Sequence, residues 1–143
     1  DEVVVATGAR WGFGSLADSA DQRVFRLDDL ADWLAGRAAI GPHVVWLGGG
    51  KVALTLAAHA LRQSLAVTLI EPSGVFGVEL GLPGRFRLVH DVEAAGAKLL
   101  TGVWRAIADD GVHVETNDGD RVVQADTIVI EQPALARMEE VYA

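Results

Sequence analysis

The chain has 143 residues, half of them apolar and 22 % charged, with no cysteine and a formal net charge of −8. That is length for about one domain with its own core, and the missing cysteines exclude, within these residues, disulfides, a thiol nucleophile, a Cys-x-x-Cys redox pair and iron–sulfur ligation. The acidic balance argues against a nucleic-acid partner. No apolar run reaches the length of a membrane span and the start lacks a signal-peptide layout, so no membrane partner is expected, and the absence of cysteine suits the cytoplasm, the expected compartment.

Residues 3–6 read as a short apolar strand stopped by Thr7-Gly8. A chain opening without methionine and in mid-strand is expected to be part of a longer protein. Residues 9–22 read as a loop containing Gly12 and Gly14, pinned by the rings of Trp11 and Phe13. Apolar residues at helical spacing predict a helix over 27–34 with Gly36 as its stop, and Gly41-Pro42 breaks the chain after it.

A buried-looking strand follows at His43-Val-Val-Trp-Leu, runs into Gly48-Gly49-Gly50-Lys51-Val52-Ala53, and opens an apolar helix over 52–62. Strand 66–70 comes next and ends on Glu71. Gly48, Gly50 and Ala53 fit G-x-G-x-x-G/A. The first glycine permits the tight turn, the second lets a pyrophosphate approach the backbone, and the third small residue lets helix and strand pack closely. The helix start supplies free N–H groups and partial positive charge to the phosphates. The candidate cofactor-binding residues are therefore Gly48, Gly49, Gly50, Lys51, Val52 and Ala53, together with Glu71, 21 positions beyond Gly50. An acid at that distance suits an adenosine ribose and repels a 2′-phosphate, which favours NAD(H), or another adenine nucleotide with free ribose hydroxyls, over NADP(H). The alternative is a structural turn that binds no nucleotide.

A second glycine-rich loop spans 72–84 and carries Phe76 and Glu79. It follows the second parallel strand, so it either folds over a bound nicotinamide or serves as a plain connector. A helix is predicted over 85–95, with Phe86, Val89 and Val92 on one face and Gly96 as its stop, then a short strand over 97–100. Runs of alternating character at 103–107, 112–116 and 121–124 are joined by Asp109-Asp110-Gly111 and Asn117-Asp118-Gly119, both turn signals, and predict a three-stranded antiparallel meander. Residues 126–130 return as a buried strand. The whole reads as a single α/β dinucleotide-binding domain over 1–143, with a parallel sheet joined by crossover helices.

Other chemistry is poorly supported. Gly50-Lys51 lacks the hydroxyl residue and the first glycine of a P-loop, so the Lys51 side chain reads as a solvated helix-start residue. His43, His59, His90 and His113 fall at no metal-ligand spacing, there is no G-x-S-x-G segment, and no catalytic acid or base is assigned. Trp46 reads as core.

This order of elements resembles the NAD(P)H domain of the pyridine nucleotide–disulfide oxidoreductase superfamily, with its FAD/NAD(P)-binding Rossmann-like fold. Val4-Val5-Ala6-Thr7-Gly8 is similar to the family's Ala-Thr-Gly segment, where the chain leaves the FAD domain, which adds Gly8 to the cofactor-binding candidates. Asp126-Thr127-Ile128-Val129-Ile130 is similar to the returning strand. The nearest likeness within the superfamily is to the C-terminal half of the old-yellow-enzyme-type proteins: NADH:flavin oxidoreductases, 2,4-dienoyl-CoA reductases and trimethylamine dehydrogenases. The resemblance implies a parent flavoenzyme with FMN, an iron–sulfur cluster and FAD outside these residues, whose remaining domains are this domain's partners. NAD(H) would bind here and pass hydride to FAD. The returning strand departs from the family pattern: it runs into Glu131-Gln132-Pro133 in place of an Ala-x-Gly-like turn. That departure keeps open a second reading, a non-catalytic adenine-nucleotide (ADP) module of structural or regulatory use.

Overall fold

The computed structural model describes residues 9–11, 21–131 and 134–136. In chain order the elements are β1 (Ala9–Trp11), β2 (Val24–Arg26), a 3-10 turn (Leu27–Leu30) leading into α1 (Ala31–Leu34), β3 (His43–Leu47), α2 (Lys51–Arg62) and β4 (Ala66–Glu71). Then follow α3 (Leu82–Ala94), β5 (Lys98–Thr101), β6 (Val103–Ala108), β7 (Gly111–Thr116), β8 (Gly119–Val123), β9 (Thr127–Ile130) and β10 (Ala134–Ala136).

Five strands form one parallel sheet in the order β2-β9-β3-β4-β5. Parallel neighbours need crossovers, and α2 and α3 supply them between β3, β4 and β5. Strands buried on both faces are expected to be near-continuously apolar, and β3 and β9 are: Val44 to Leu47 and Ile128 to Ile130 are all buried, with Thr127 the buried polar exception. Period-two alternation divides these side chains between two layers. Val44, Trp46, Leu69 and Val129 pack with Ala53, Leu54, Ala57 and Ala60 of α2, Val92 of α3 and Trp33 of α1. Val45, Leu47, Ile70, Ile128 and Ile130 face the other way, onto Val112 and Val114 of the antiparallel meander β6-β7-β8. The meander thus covers a sheet face that a doubly wound fold gives to helices.

The two glycine turns of the meander work as their sequence implied. Gly111 has φ +135°, and a Cβ there would run into the Val123 carbonyl. The structure departs from the sequence reading at four places. Val24–Arg26 is an edge strand pairing with β9, three residues too short to show periodicity. The helix expected over 27–34 is a 3-10 turn plus one helical turn. Helix α3 begins at Leu82 rather than 85, because Pro83 sits in its first turn, where its missing N–H costs nothing. Within the expected 9–22 loop, Ala9–Trp11 is a strand paired antiparallel with β10. The strand expected over 3–6, and the pinning role of Phe13, lie outside the described residues.

Edge strand β2 is tied to the meander by Arg23. Its Nη2 donates to the Ala108 carbonyl at 2.7 Å and to Asp21 Oδ2 at 2.7 Å, while its Nε donates to Asp21 Oδ1 at 3.0 Å. The hydrogen bonds from Arg23 hold the Asp21 carboxyl at about 2, below its ordinary 3.8. A depressed carboxyl pKa adds stability that is complete above the unfolded value and is lost as pH falls through the folded one. Asp21→Asn is therefore expected to cost about 1 kcal/mol at neutral pH, allowing for solvent screening. Urea unfolding should show that cost shrinking below pH 3.8 and gone near about 2; a cost independent of pH would refute the clasp.

Candidate nucleotide-binding site

From β3 the chain crosses through α2 to β4 on one side, while β9 lies against the other side of β3. This is a topological switch point, and the crevice at the carboxyl ends of β3 and β9 is where open α/β sheets bind ligands. The glycine turn lies there. Gly48 turns the chain with φ +123° and donates its N–H to the Ile70 carbonyl at 2.9 Å. Gly50 caps α2 in an extended conformation, its carbonyl taking the first helical hydrogen bond from Leu54, and Ala53 is fully buried against the sheet. The backbone therefore has the shape the glycine spacing implied.

The loop between β4 and α3 folds back onto the turn. Gly77 donates its N–H to the Gly49 carbonyl at 2.6 Å, and the Phe76 ring covers Gly49 so closely that a Cβ there would stand 2.5 Å from it. The loop is thus packed onto the glycine turn itself.

Helix starts leave main-chain N–H groups without helical partners, and they carry the positive end of the helix dipole. Here carboxylates answer them. Gly49 donates to Glu71 Oε2 at 2.9 Å, Gly50 to Glu131 Oε2 at 2.8 Å, Lys51 to Glu79 Oε2 at 3.0 Å, and Ala53 to Glu131 Oε1 at 3.3 Å. Glu71 also accepts from the N–H and hydroxyl of Ser73 through Oε1. Glu131 is drawn in by strand register: its own N–H donates to the Leu47 carbonyl at 2.9 Å, which sets it beside Gly48. Burial pushes the Glu131 carboxyl above its ordinary range, the N–H groups of Gly50 and Ala53 pull it down, and Glu79 and Glu71 push it up again.

The structure brings Gly48, Gly49, Gly50, Lys51, Ala53 and Glu71 together, with Val52 part-buried against the core. The Lys51 side chain is exposed, and only its main-chain N–H enters the turn. Gly8 lies outside the described residues. The sequence reading had not placed Glu131 or Glu79 on the turn's donors; the signal for Glu131 was an acid directly after the returning strand.

The remaining candidates have structural partners. His43 pairs with Asp126 at 2.9 Å and His113 with Asp110 at 2.7 Å, while the His59 ring meets Trp33 edge-on at 5.0 Å. Among the described residues no group of three or more His, Asp or Glu side chains is placed to hold a metal ion. A cleft of about 460 Å³ lies far from the turn, at the amino-terminal edge of the sheet between His43, Ala66, Lys98 and Val122.

The glycine turn and its helix fit a dinucleotide pyrophosphate in their backbone: Gly48 and Gly50 present main chain without side chains, and the N–H groups converge. The side chains as arranged leave it no room, since Glu131 and Glu79 already hold those N–H groups.

Comparison with known proteins accords with this scaffold. Residues 1–131 match the family model described as pyridine nucleotide-disulphide oxidoreductase, and the chain belongs to that family. It is 33 % identical over 147 aligned positions to the ferredoxin–NAD(+) reductase component of an anthranilate 1,2-dioxygenase system from Burkholderia cepacia, covering 96 % of this chain and 35 % of that protein. A ferredoxin reductase for the CYP199A2 system from Rhodopseudomonas palustris superposes with a TM-score of 0.74 at 26 % identity, covering 96 % of this chain and 35 % of that one. A 2-naphthoyl-CoA reductase shares the fold at a TM-score of 0.75 and 23 % identity, covering 93 % of this chain and 20 % of that one. The chain thus spans about a third or less of the length of these relatives.

Because the folded pKa of Glu131 exceeds its ordinary 4.5, the folded chain binds that proton more tightly. The stability this adds is full below the unfolded value and is lost as pH rises through the folded one. Thermal melts of Glu131→Gln and the parent chain should diverge in the variant's favour as pH rises above 4.5. Parallel curves would mean that Glu131 does not sit ionised in this crevice.

Proposed function

We propose that this chain is the NAD(H)-binding domain of a flavin-dependent oxidoreductase, holding the dinucleotide along the glycine turn and presenting its nicotinamide to FAD carried by the parent's other domains. The observation that carries the reading is the convergence of four main-chain N–H groups on negative charge at a switch-point crevice, with Glu71 at the end of β4. Bound NADH would supply a hydride; the chain itself supplies affinity and orientation. In this reading Gly48, Gly49, Gly50 and Ala53 border the pyrophosphate, Lys51 and Val52 carry the helix start beneath it, Gly8 belongs to the entry segment, and Glu71 accepts from the adenosine ribose hydroxyls.

Two parent types are consistent with that role. The order of elements supports an NADH:flavin oxidoreductase or 2,4-dienoyl-CoA reductase, with FMN and an iron–sulfur cluster in the parent. The relative at 33 % identity supports a ferredoxin–NAD(+) reductase. The presence or absence of iron and FMN in the purified parent separates them. A second reading, an adenine-nucleotide module without hydride transfer, is favoured by Glu131 at the end of β9, where it crowds the crevice.

Calorimetric titration of the chain with NADH, NADPH and ADP tests these readings together. NADH is expected to bind at least tenfold more tightly than NADPH, about 1.4 kcal/mol. Equal affinity for NADH and ADP would instead favour the adenine-nucleotide module. Glu71→Arg should weaken NADH and narrow or reverse its advantage over NADPH; an unchanged ratio would remove Glu71 from the ribose.

A further inference from the structure

We infer that Glu131 occupies the phosphate seat of this domain as a built-in anion, so that a dinucleotide enters only by displacing it. The inference rests on the nucleotide-binding reading above and adds a regulatory feature to it.

Geometry carries the argument. The Glu131 carboxylate bridges Gly50 N–H at 2.8 Å and Ala53 N–H at 3.3 Å, the cap and third residue of α2. Each N–H has one proton to donate, so a phosphate oxygen and a Glu131 oxygen compete for it directly. The space is also taken. A Cβ built on Gly48 would meet the Glu131 side chain at 3.0 Å, and one built on Gly50 would meet Glu79 Oε1 at 2.6 Å and Glu131 Oε1 at 2.8 Å. The glycines that give a phosphate room in this motif here give room to carboxylates. The hydrogen bond to Leu47 fixes the main chain of Glu131, so leaving the seat falls to its side chain alone.

Electrostatics sets how tightly the seat is closed. The charged groups around Glu131 are Glu71 at the end of β4 and Glu79 in the 72–81 loop; Lys51 opens α2 with its side chain in solvent. Three carboxylates around one helix terminus exceed the roughly half-charge such a terminus offers. The seat is therefore satisfied but under mutual repulsion. An incoming pyrophosphate adds like charge to that cluster until Glu131 swings out or takes a proton. Protonation of Glu131 removes one charge from the cluster, so binding should tighten as pH falls toward the carboxyl range.

The test compares the parent chain with Glu131→Ala, which empties the seat, and Glu131→Gln, which keeps the volume without the charge. NADH and inorganic pyrophosphate serve as probes, read by titration and by shift of the melting temperature. NADH is expected to bind Glu131→Ala at least tenfold more tightly than the parent, with Glu131→Gln between them, and the parent's affinity should rise on acidification while that of Glu131→Gln does not. Equal NADH affinity in all three would overturn the inference and leave the nucleotide reading standing. If NADH binds none of them but pyrophosphate stabilises Glu131→Ala and not the parent, the seat is real and the dinucleotide reading fails. If neither probe distinguishes the variants from the parent, the inference is wrong. Should Glu131→Ala not fold, the comparison of Glu131→Gln with the parent decides the matter alone.

Discussion

The amino terminus of α2 is the point on which this structure turns. A helix that starts at the carboxyl edge of a buried sheet brings main-chain donors and a positive dipole end together, and they need acceptors, negatively charged ones best of all. Three elements converge to supply one: Glu71 from the end of β4, Glu79 from the loop before α3, and Glu131 from just past β9. Gly48 and Gly50 carry no side chain because the carboxylates come too close for one, and Phe76 closes over Gly49 for want of a Cβ. The arrangement satisfies the donors at the cost of gathering negative charge, and the upward shift of Glu131 records that cost.

The rest of the fold holds that point still. Alternating side chains of β3 and β9 send Val44, Trp46 and Val129 into the helical layer and Val45, Leu47, Ile128 and Ile130 toward the meander, so the central strands are gripped from both faces. With β3 and β9 in register from Val44 opposite Thr127 to Leu47 opposite Ile130, the next residue of β9's chain must arrive beside Gly48. Glu131 is that residue. A one-position slip would reverse every core side chain on β9, so its place is fixed as firmly as the core itself.

Family membership accounts for the scaffold, and the groups that meet the donors at its helix start are Glu71, Glu79 and Glu131. The family model covers the glycine turn, both flanking strands and the returning strand. A glycine turn of this shape is neutral about which anion it receives: it offers N–H groups and room, and a glutamate side chain on a neighbouring strand uses both as well as a phosphate does. The same donors that suit a phosphate are met here by the chain's own carboxylates.

What the amino-acid sequence determined by itself was the local physics. Glycine spacing after an apolar run, a 3.6-residue pattern behind it and an acid at the end of the next strand specify β3, α2, β4 and Glu71, because each depends on neighbours within one or two turns. The Asp-Gly signals at residues 110–111 and 118–119 likewise specified the meander. Local pattern is silent where an element is too short or its partner too distant. Three residues at Val24–Arg26 form a strand only because β9 lies beside them, and Pro83 reads as a loop residue until its place in a first helical turn is known. Only tertiary structure brought Glu131, 81 positions along the chain from Gly50, onto the helix start. Sequence showed an acid in an unexpected place; the parallel pairing of β3 with β9 decided what that acid touches, since a carboxylate's hydrogen-bond partners are set by what the sheet places within about 3 Å of it.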